Sequence, residues 1–493
     1  MKTKTFIFLF TILSISCLFC SAQNNPDIKR TYHWYFGNSA GLNFMNQNPL
    51  PVMGYMNAVE ACSAISDTCG NLLFYTNGSA VWNKNHQIMP NGYGLMGHFS
   101  STQGALIVPD PEYTNIYYIF TTDDGESKGI NGMRYSVVDI SVNGGLGDVT
   151  IKNNLLFSPC TEKLAATRHR NGKDVWVVGR KRYSQDFYAY LVSSTGINTT
   201  PIITSIGASA YAIGDGYLRF SPDGNKLAAA YHTGNSGTND TVDVYDFDKT
   251  TGIISNTISL VQDFGNELYG VVFSPDNSKL YVSMYNINLG EKQKIFQYDV
   301  SSGNPQIIIS SKTLIYADDS VMYMSMQLRP DGKIFVARDA FLSIPDINDT
   351  LATIHNPNAT GLSCNFVKKD FFLNGGSSYV GLPNFVDSYF NNSWQPPCVD
   401  GINLENIESN NSIIVYPNPF NTSTTLFLNS YINTNNDNII LEVYDIFGKK
   451  IRHIVFPGGN NSLTINRDNI PTGIYFAKIS IRDKILTKTI IIN

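Results

Sequence analysis

Three stretches of this chain repeat one pattern, and the repeat constrains the fold more than any other feature. Phe220–Tyr231 reads FSPDGNKLAAAY, Phe273–Met284 reads FSPDNSKLYVSM and Leu328–Ala337 reads LRPDGKIFVA. Each sets an apolar residue before a tight turn and an alternating apolar run after it. Pro presets φ, Asp bonds back to nearby backbone, and Gly or Asn accepts a positive φ, so each stretch reads as a β-hairpin. The turn position moves from Gly224 to Asn277 to Gly332, in steps of 53 and 55 residues. The carboxylates Asp223, Asp276 and Asp331 read as turn-forming groups.

Weaker copies lie upstream, at Asp67–Thr76, Tyr113–Thr121 and Arg170–Val178, with turns at Gly70, Asn115 and Gly172. The six turns are 45, 57, 52, 53 and 55 residues apart, close to the ~40–50 residues of a four-stranded propeller blade. A β-propeller follows. The SPDG hairpins resemble TolB-type and PD40 (WD40-like) repeats, a likeness specific to fold and not to activity. Tyr32–Phe44 (YHWYFGNSAGLNF) precedes the first turn by too little for a blade of its own. Ser378–Phe390 (SYVGLPNFVDSYF) has the same aromatic texture, so the two ends are expected to pair as a seventh blade and so remove exposed edges. Residues 32–390 divided by seven give about 51 per blade.

A closer resemblance rests on Trp34–Phe44, Asn71–Gly78 with Val81–Pro90, and Ser100–Pro109. These segments are similar to the N-terminal propeller of secreted Bacteroidetes surface proteins. Asn77 and Gly104 stand where that pattern has Asp and Ser, and no catalytic motif comes with the likeness.

Residues 391–412 hold Pro396-Pro397 and an Asn/Ser-rich run, the composition of a linker. The last 81 residues, 413–493, read as short alternating strands between Asn, Gly and Pro turns, the pattern of a small Ig-like antiparallel sandwich. Four motifs occur in order: Val415–Phe420 with Tyr416, Pro417, Asn418 and Pro419; Val443–Ile451 with Tyr444, Asp445 and Gly448; Pro471–Lys478 with Gly473 and Tyr475; and the terminal Lys488–Asn493. Together they resemble the type A C-terminal sorting domain of the type IX (Por) secretion system. The resemblance implies the secretion machinery as partner, export across the outer membrane, and release or attachment to anionic lipopolysaccharide at the cell surface.

The N-terminus agrees. Lys2 and Lys4, the apolar run Phe6–Phe19 and the small residues before Gln23 form a signal peptide, with cleavage between Ala22 and Gln23. An acylated Cys17 is a weaker alternative, because Ser14 stands where a lipobox has Leu. The division expected is therefore signal peptide 1–22, propeller 23–390, linker 391–412 and sorting domain 413–493. Five cysteines survive processing, an odd number; Cys62 with Cys69, and Cys364 with Cys398, are the candidate disulfides, with connectivity left open.

A net charge of −5 with scattered Lys and Arg gives no basic stripe and so no reason to expect nucleic acid. Seven histidines have no metal spacing, and no Gly-x-Ser-x-Gly elbow is present. No cofactor is expected. A structural calcium is an option at Asp240, Asp243, Asp246 and Asp248, or at Asp346, Asn348 and Asp349, although turn capping explains these residues equally. Asp123-Asp124 and Asp318-Asp319 read as loop caps. Arg168-His169-Arg170 with Arg180-Lys181-Arg182 would make a basic mouth if they converged. Asp240-Thr241-Val242, Asp319-Ser320-Val321 and Asp349-Thr350-Leu351 match a three-residue O-glycosylation pattern. The function expected is a secreted, non-catalytic binding or adhesion propeller with a carbohydrate or protein ligand at one face. Trp34, Trp82, Trp176 and Trp394 are candidate contacts there. A propeller hydrolase or lyase acting on polysaccharide or peptide is the alternative.

Overall fold

The computed structural model describes residues 26–209, 214–231, 240–261, 267–285, 292–319, 321–339, 348–391, 395, 413–428, 438–446, 448–457, 462–481 and 484–493. Ala22, Gln23, His232, Ser320, Asp346, Trp394 and Cys398 lie outside them, as does all of the expected linker but Asn391 and Gln395. The chain divides into two compact units, 1–398 and 399–493.

Among the described residues of the first unit, seven antiparallel sheets follow in chain order, at residues 33–57, 63–93, 105–157, 160–205, 218–261, 267–318 and 322–372. The first has three strands, the fourth five and the others four. From the second sheet on, the chain zigzags outward from an inner first strand, and the inner strands of successive sheets pack on one another around an axis. This is a β-propeller.

The six turns seen in the sequence join the first and second strands of the second to seventh sheets. Their side chains explain the motif. Ser221 Oγ donates to Asp223 Oδ1 at 2.6 Å and the Asn225 amide donates to the same oxygen; Ser274, Asp276 and Ser278 repeat the arrangement. In the third copy Arg329 Nη2 takes the serine's part, 2.6 Å from Asp331 Oδ2. The turns also touch across sheets, since the Asp223 amide donates to Asn277 Oδ1 at 2.9 Å. They define one face of the propeller.

Closure differs from the expected strand pairing. Residues 33–57 build the first sheet alone, and the C-terminal segment meets it through single bridges from Ser377 to Asn38 and Ser39. Ser378–Phe390 instead runs down the axis. Asn384 accepts from Ser63 Oγ at its carbonyl, donates from Nδ2 to the Leu164 carbonyl and accepts from Arg219 at its side chain. The Phe220 amide donates to Asp387 Oδ2 at 2.8 Å, and the Arg168 amide donates to Ser388 Oγ at 2.9 Å. Pro383 cannot donate to a ladder, and Gly381 lies so close to the Glu60 carbonyl that a Cβ there would collide with it. At the turn face Pro26–Thr31 forms a 3-10 helix, where Asp27 pairs with Arg30 and Arg168.

No disulfide joins Cys62 to Cys69. Strand Ser63–Ser66 lies between them, and four extended residues hold their backbones roughly 13 Å or more apart, beyond the ~7 Å a disulfide spans. Cys364 is a buried thiol; its expected partner Cys398 lies outside the described residues.

The second unit is a two-sheet antiparallel sandwich. Ile413–Tyr416, Ser423–Leu428 and Ser462–Asn466 form one sheet; Lys450–Phe456, Ile439–Tyr444, Gly473–Ile481 and Lys484–Ile492, in that order, form the other. Alternate residues, among them Leu426, Leu441, Val443, Leu463, Ile465, Ala477, Ile479 and Ile490, fill the space between.

Candidate functional site

A cavity of about 410 Å³ opens at the face opposite the turns, a size within the range of small-molecule pockets. Its walls come from several sheets and the axial segment. Val59 and Glu60 lie in the link between the first two sheets, and Asp215 in the link leading to the fifth. Tyr269 and Tyr285 come from the sixth, Met322, Met324 and Asp339 from the seventh, and Val380 from the axis. Ring topology makes this possible, because inner strands begin where links between sheets converge.

Beneath the cavity lies a buried polar network. Glu162 accepts from the Thr102 amide at 2.7 Å, the Thr102 hydroxyl at 2.6 Å and the Gly125 amide at 2.6 Å. Lys163 Nζ donates to the carbonyls of Gly214, Asp215 and Gly216. Burial, then the nearby Asp215 carboxylate, push the Glu162 carboxyl up to about 7, and burial pushes the Lys163 ammonium down to about 7. Glu60 is held well above the ordinary carboxylate range by burial and by Glu162; the hydroxyl of Tyr269, donating to Glu60 Oε1 at 2.8 Å, opposes that shift. The cavity therefore offers proton donors and acceptors beside thioether and aliphatic walls. His98 stands near the same face, its Nδ1 3.4 Å from Asp124.

Most residues singled out from the sequence have structural places elsewhere. Arg168 and Lys181 pair with Val175 and Cys160 at opposite ends of one hairpin, so the two basic triplets do not converge. Arg180 is buried, donating to the Tyr231 hydroxyl and stacking over Phe187 and Tyr231, and Arg182 donates to the Gly125 carbonyl. Asp123 and Asp124 accept from the Asn131 and Ser127 amides. Asp243 accepts from the Tyr245 and Ser259 hydroxyls, Asp246 pairs with Lys226, and Asp248 caps Thr250. Among the described residues no group of three or more His, Cys, Asp or Glu is placed to hold a metal ion. Trp34, Trp82 and Trp176 are buried. Thr350 is buried and receives a hydrogen bond from Arg338, which closes it to a glycan in the folded chain.

Glu60, Asp215, Tyr269 and Tyr285 escaped sequence reasoning because they lie in links and strand ends far apart in the chain. The one signal was position, each lying at the end of the repeat opposite its turn.

In the sandwich the motif residues hold strands together. Asn418 donates to the Thr489 carbonyl and accepts from the Ile491 amide at 2.7 Å, which ties the first motif to the last strand. Asp445 and Gly448 close a turn, Gly448 at φ +80°. Tyr475 donates to the Pro471 carbonyl at 2.9 Å, Gly473 opens its strand opposite Ile492, and Lys488 faces Ala477. Tyr444 donates to Glu442.

Residues 414–493 match the family model for the secretion system C-terminal sorting domain. The chain thus carries a type IX sorting domain behind a β-propeller, and it is exported for secretion or cell-surface attachment, with the type IX machinery as its partner. No match to a curated protein was found. Among solved structures, the chain is similar to a Bacteroides fragilis protein provisionally named a 6-phosphogluconolactonase. That pair shares 15% identity over 71% of this chain and 97% of that one, with a TM-score of 0.43. A quinonprotein alcohol dehydrogenase-like protein of Bacteroides thetaiotaomicron shares 12% over 66% and 73%, with a TM-score of 0.36. The GH74 enzyme of Niastella koreensis shares 11% over 93% and 74%, with a TM-score of 0.33. Nothing about activity follows from these likenesses.

Proposed function

We propose that the protein is a secreted or surface-held binding module whose propeller takes a carbohydrate or peptide group into the axial cavity. The cavity carries this reading: about 410 Å³, lined by Glu60, Asp215, Tyr269, Tyr285 and two methionines, it combines hydrogen-bonding groups with apolar walls, as binding sites for small polar ligands do.

A hydrolase or lyase is the second reading. The observation favouring it is the pair of buried carboxyls, Glu60 and Glu162, both raised by burial and near Asp215, since a raised carboxyl is what general-acid catalysis uses. The test is a glycan and peptide panel probed with the purified secreted protein, both for binding and for turnover. Binding without turnover, lost on Val380→Trp, is the expected result. Turnover abolished by Glu60→Gln would replace the first reading with the second, and binding unaffected by Val380→Trp would remove the cavity from both.

A further inference from the structure

Deeper along the axis, toward the turn face, a second and much smaller cavity lies between Arg219 of the fifth sheet, Gln327 of the seventh and Asp387 of the axial segment, with Phe273 and Phe390 among its walls. It leaves about 10 Å³ open to a water centre, close to the minimum for one water molecule. Arg219 and Gln327 are each 1% exposed. Arg219 uses Nη1 on Asn384 and Asp387, while its Nε and Nη2 find no partner, and neither does Gln327 Oε1. Buried polar atoms in native proteins are otherwise almost always satisfied.

We propose that this cavity is a binding site for a single internal water, which accepts a hydrogen bond from Arg219 and donates one to Gln327 Oε1. The chemistry of the walls selects the occupant. A metal or ammonium cation is repelled by the guanidinium. Chloride would suit Arg219, but the guanidinium charge is already matched by Asp387, and a halide cannot donate to the amide oxygen. Turning the Gln327 amide over would not relieve the shortage, because its Nε2 now donates to the Leu328 carbonyl at 3.0 Å and an oxygen placed there would face another oxygen. Water alone both accepts and donates. It would connect two sheets that are not neighbours in the ring to the segment that fills the axis, and so act as a bolt on ring closure.

Crystals of the full chain, in a map where Arg219 and Gln327 are well defined, test this directly. The expected result is one density peak within hydrogen-bond distance of Arg219 Nε or Nη2 and of Gln327 Oε1, with no anomalous signal there after a bromide soak. An empty cavity overturns the proposal, and so does a bromide peak. In Gln327→Met the peak should disappear while the surrounding backbone stays in place; a water retained in that variant would overturn the role given to Gln327.

Discussion

Tyr269 donates its hydroxyl hydrogen to Glu60 Oε1 at 2.8 Å, although 209 residues separate them in the chain. The bond joins the sixth sheet to the link between the first and second beside the cavity, and it favours the ionised form of Glu60. In Tyr269→Phe the Glu60 carboxyl should hold its proton to a still higher pH. A carboxyl raised in the fold contributes stability that is full below its unfolded value and is lost as pH rises through its folded value, so the variant's loss should extend to higher pH. Carbon-13 NMR titration of glutamate-labelled protein reads the midpoint, and a downward shift would contradict the assignment.

Asp387 makes a second pH prediction. Burial, partly offset by Arg219, pushes its carboxyl up to about 6. The sign is the same: this group's contribution falls as pH rises from about 4, the ordinary aspartate value, to about 6. Thermal melts across that window should show a shallower decline in Asp387→Asn than in the parent. Equal slopes in the two proteins would exclude Asp387 as the source.

The turn glycines differ in a way only packing reveals. Gly172 and Gly224 both adopt positive φ, +74° and +72°, yet a Cβ at Gly172 meets open space whereas one at Gly224 collides with Thr167 Oγ1 of the preceding sheet. Gly172→Ala should cost about 1–2 kcal/mol from the backbone alone, and Gly224→Ala measurably more. A double variant with Thr167→Ala should recover part of the difference, as a double-mutant cycle in urea would show. No coupling would place the two residues out of contact.

Removing residues 413–493 should leave the propeller in the periplasm, because those residues carry the sorting domain. Cell fractionation with an antibody to the propeller checks this. Unchanged export would mean that the address lies elsewhere in the chain.

The propeller and the sandwich were legible because their signals are local. Ser221, Asp223 and Gly224 sit within four residues of one another, so the bonds that make the turn are written in one short window. The sorting motifs are likewise short runs, although Asn418 of the first bonds to Thr489 and Ile491 of the last strand. Closure was only half legible. The aromatic texture of Ser378–Phe390 announces a segment belonging with the N-terminal strands, but not the axial contacts that Asn384 and Asp387 make with three different sheets. Equally, Cys62 and Cys69 are close in sequence, but the extended strand between them holds them apart.

The sequence by itself determined the repeat, its turn chemistry and the export address, since each is carried by short motifs that can be matched residue by residue along the chain. The tertiary structure alone decided where the cavity lies, that Glu60 meets Tyr269, that Glu162 and Lys163 share a buried network, and that the axis is filled by the chain's own segment. The physical reason is ring closure. Residues at corresponding ends of successive repeats are brought together around an axis, and burial there changes their protonation, neither of which can be read from spacing along the chain.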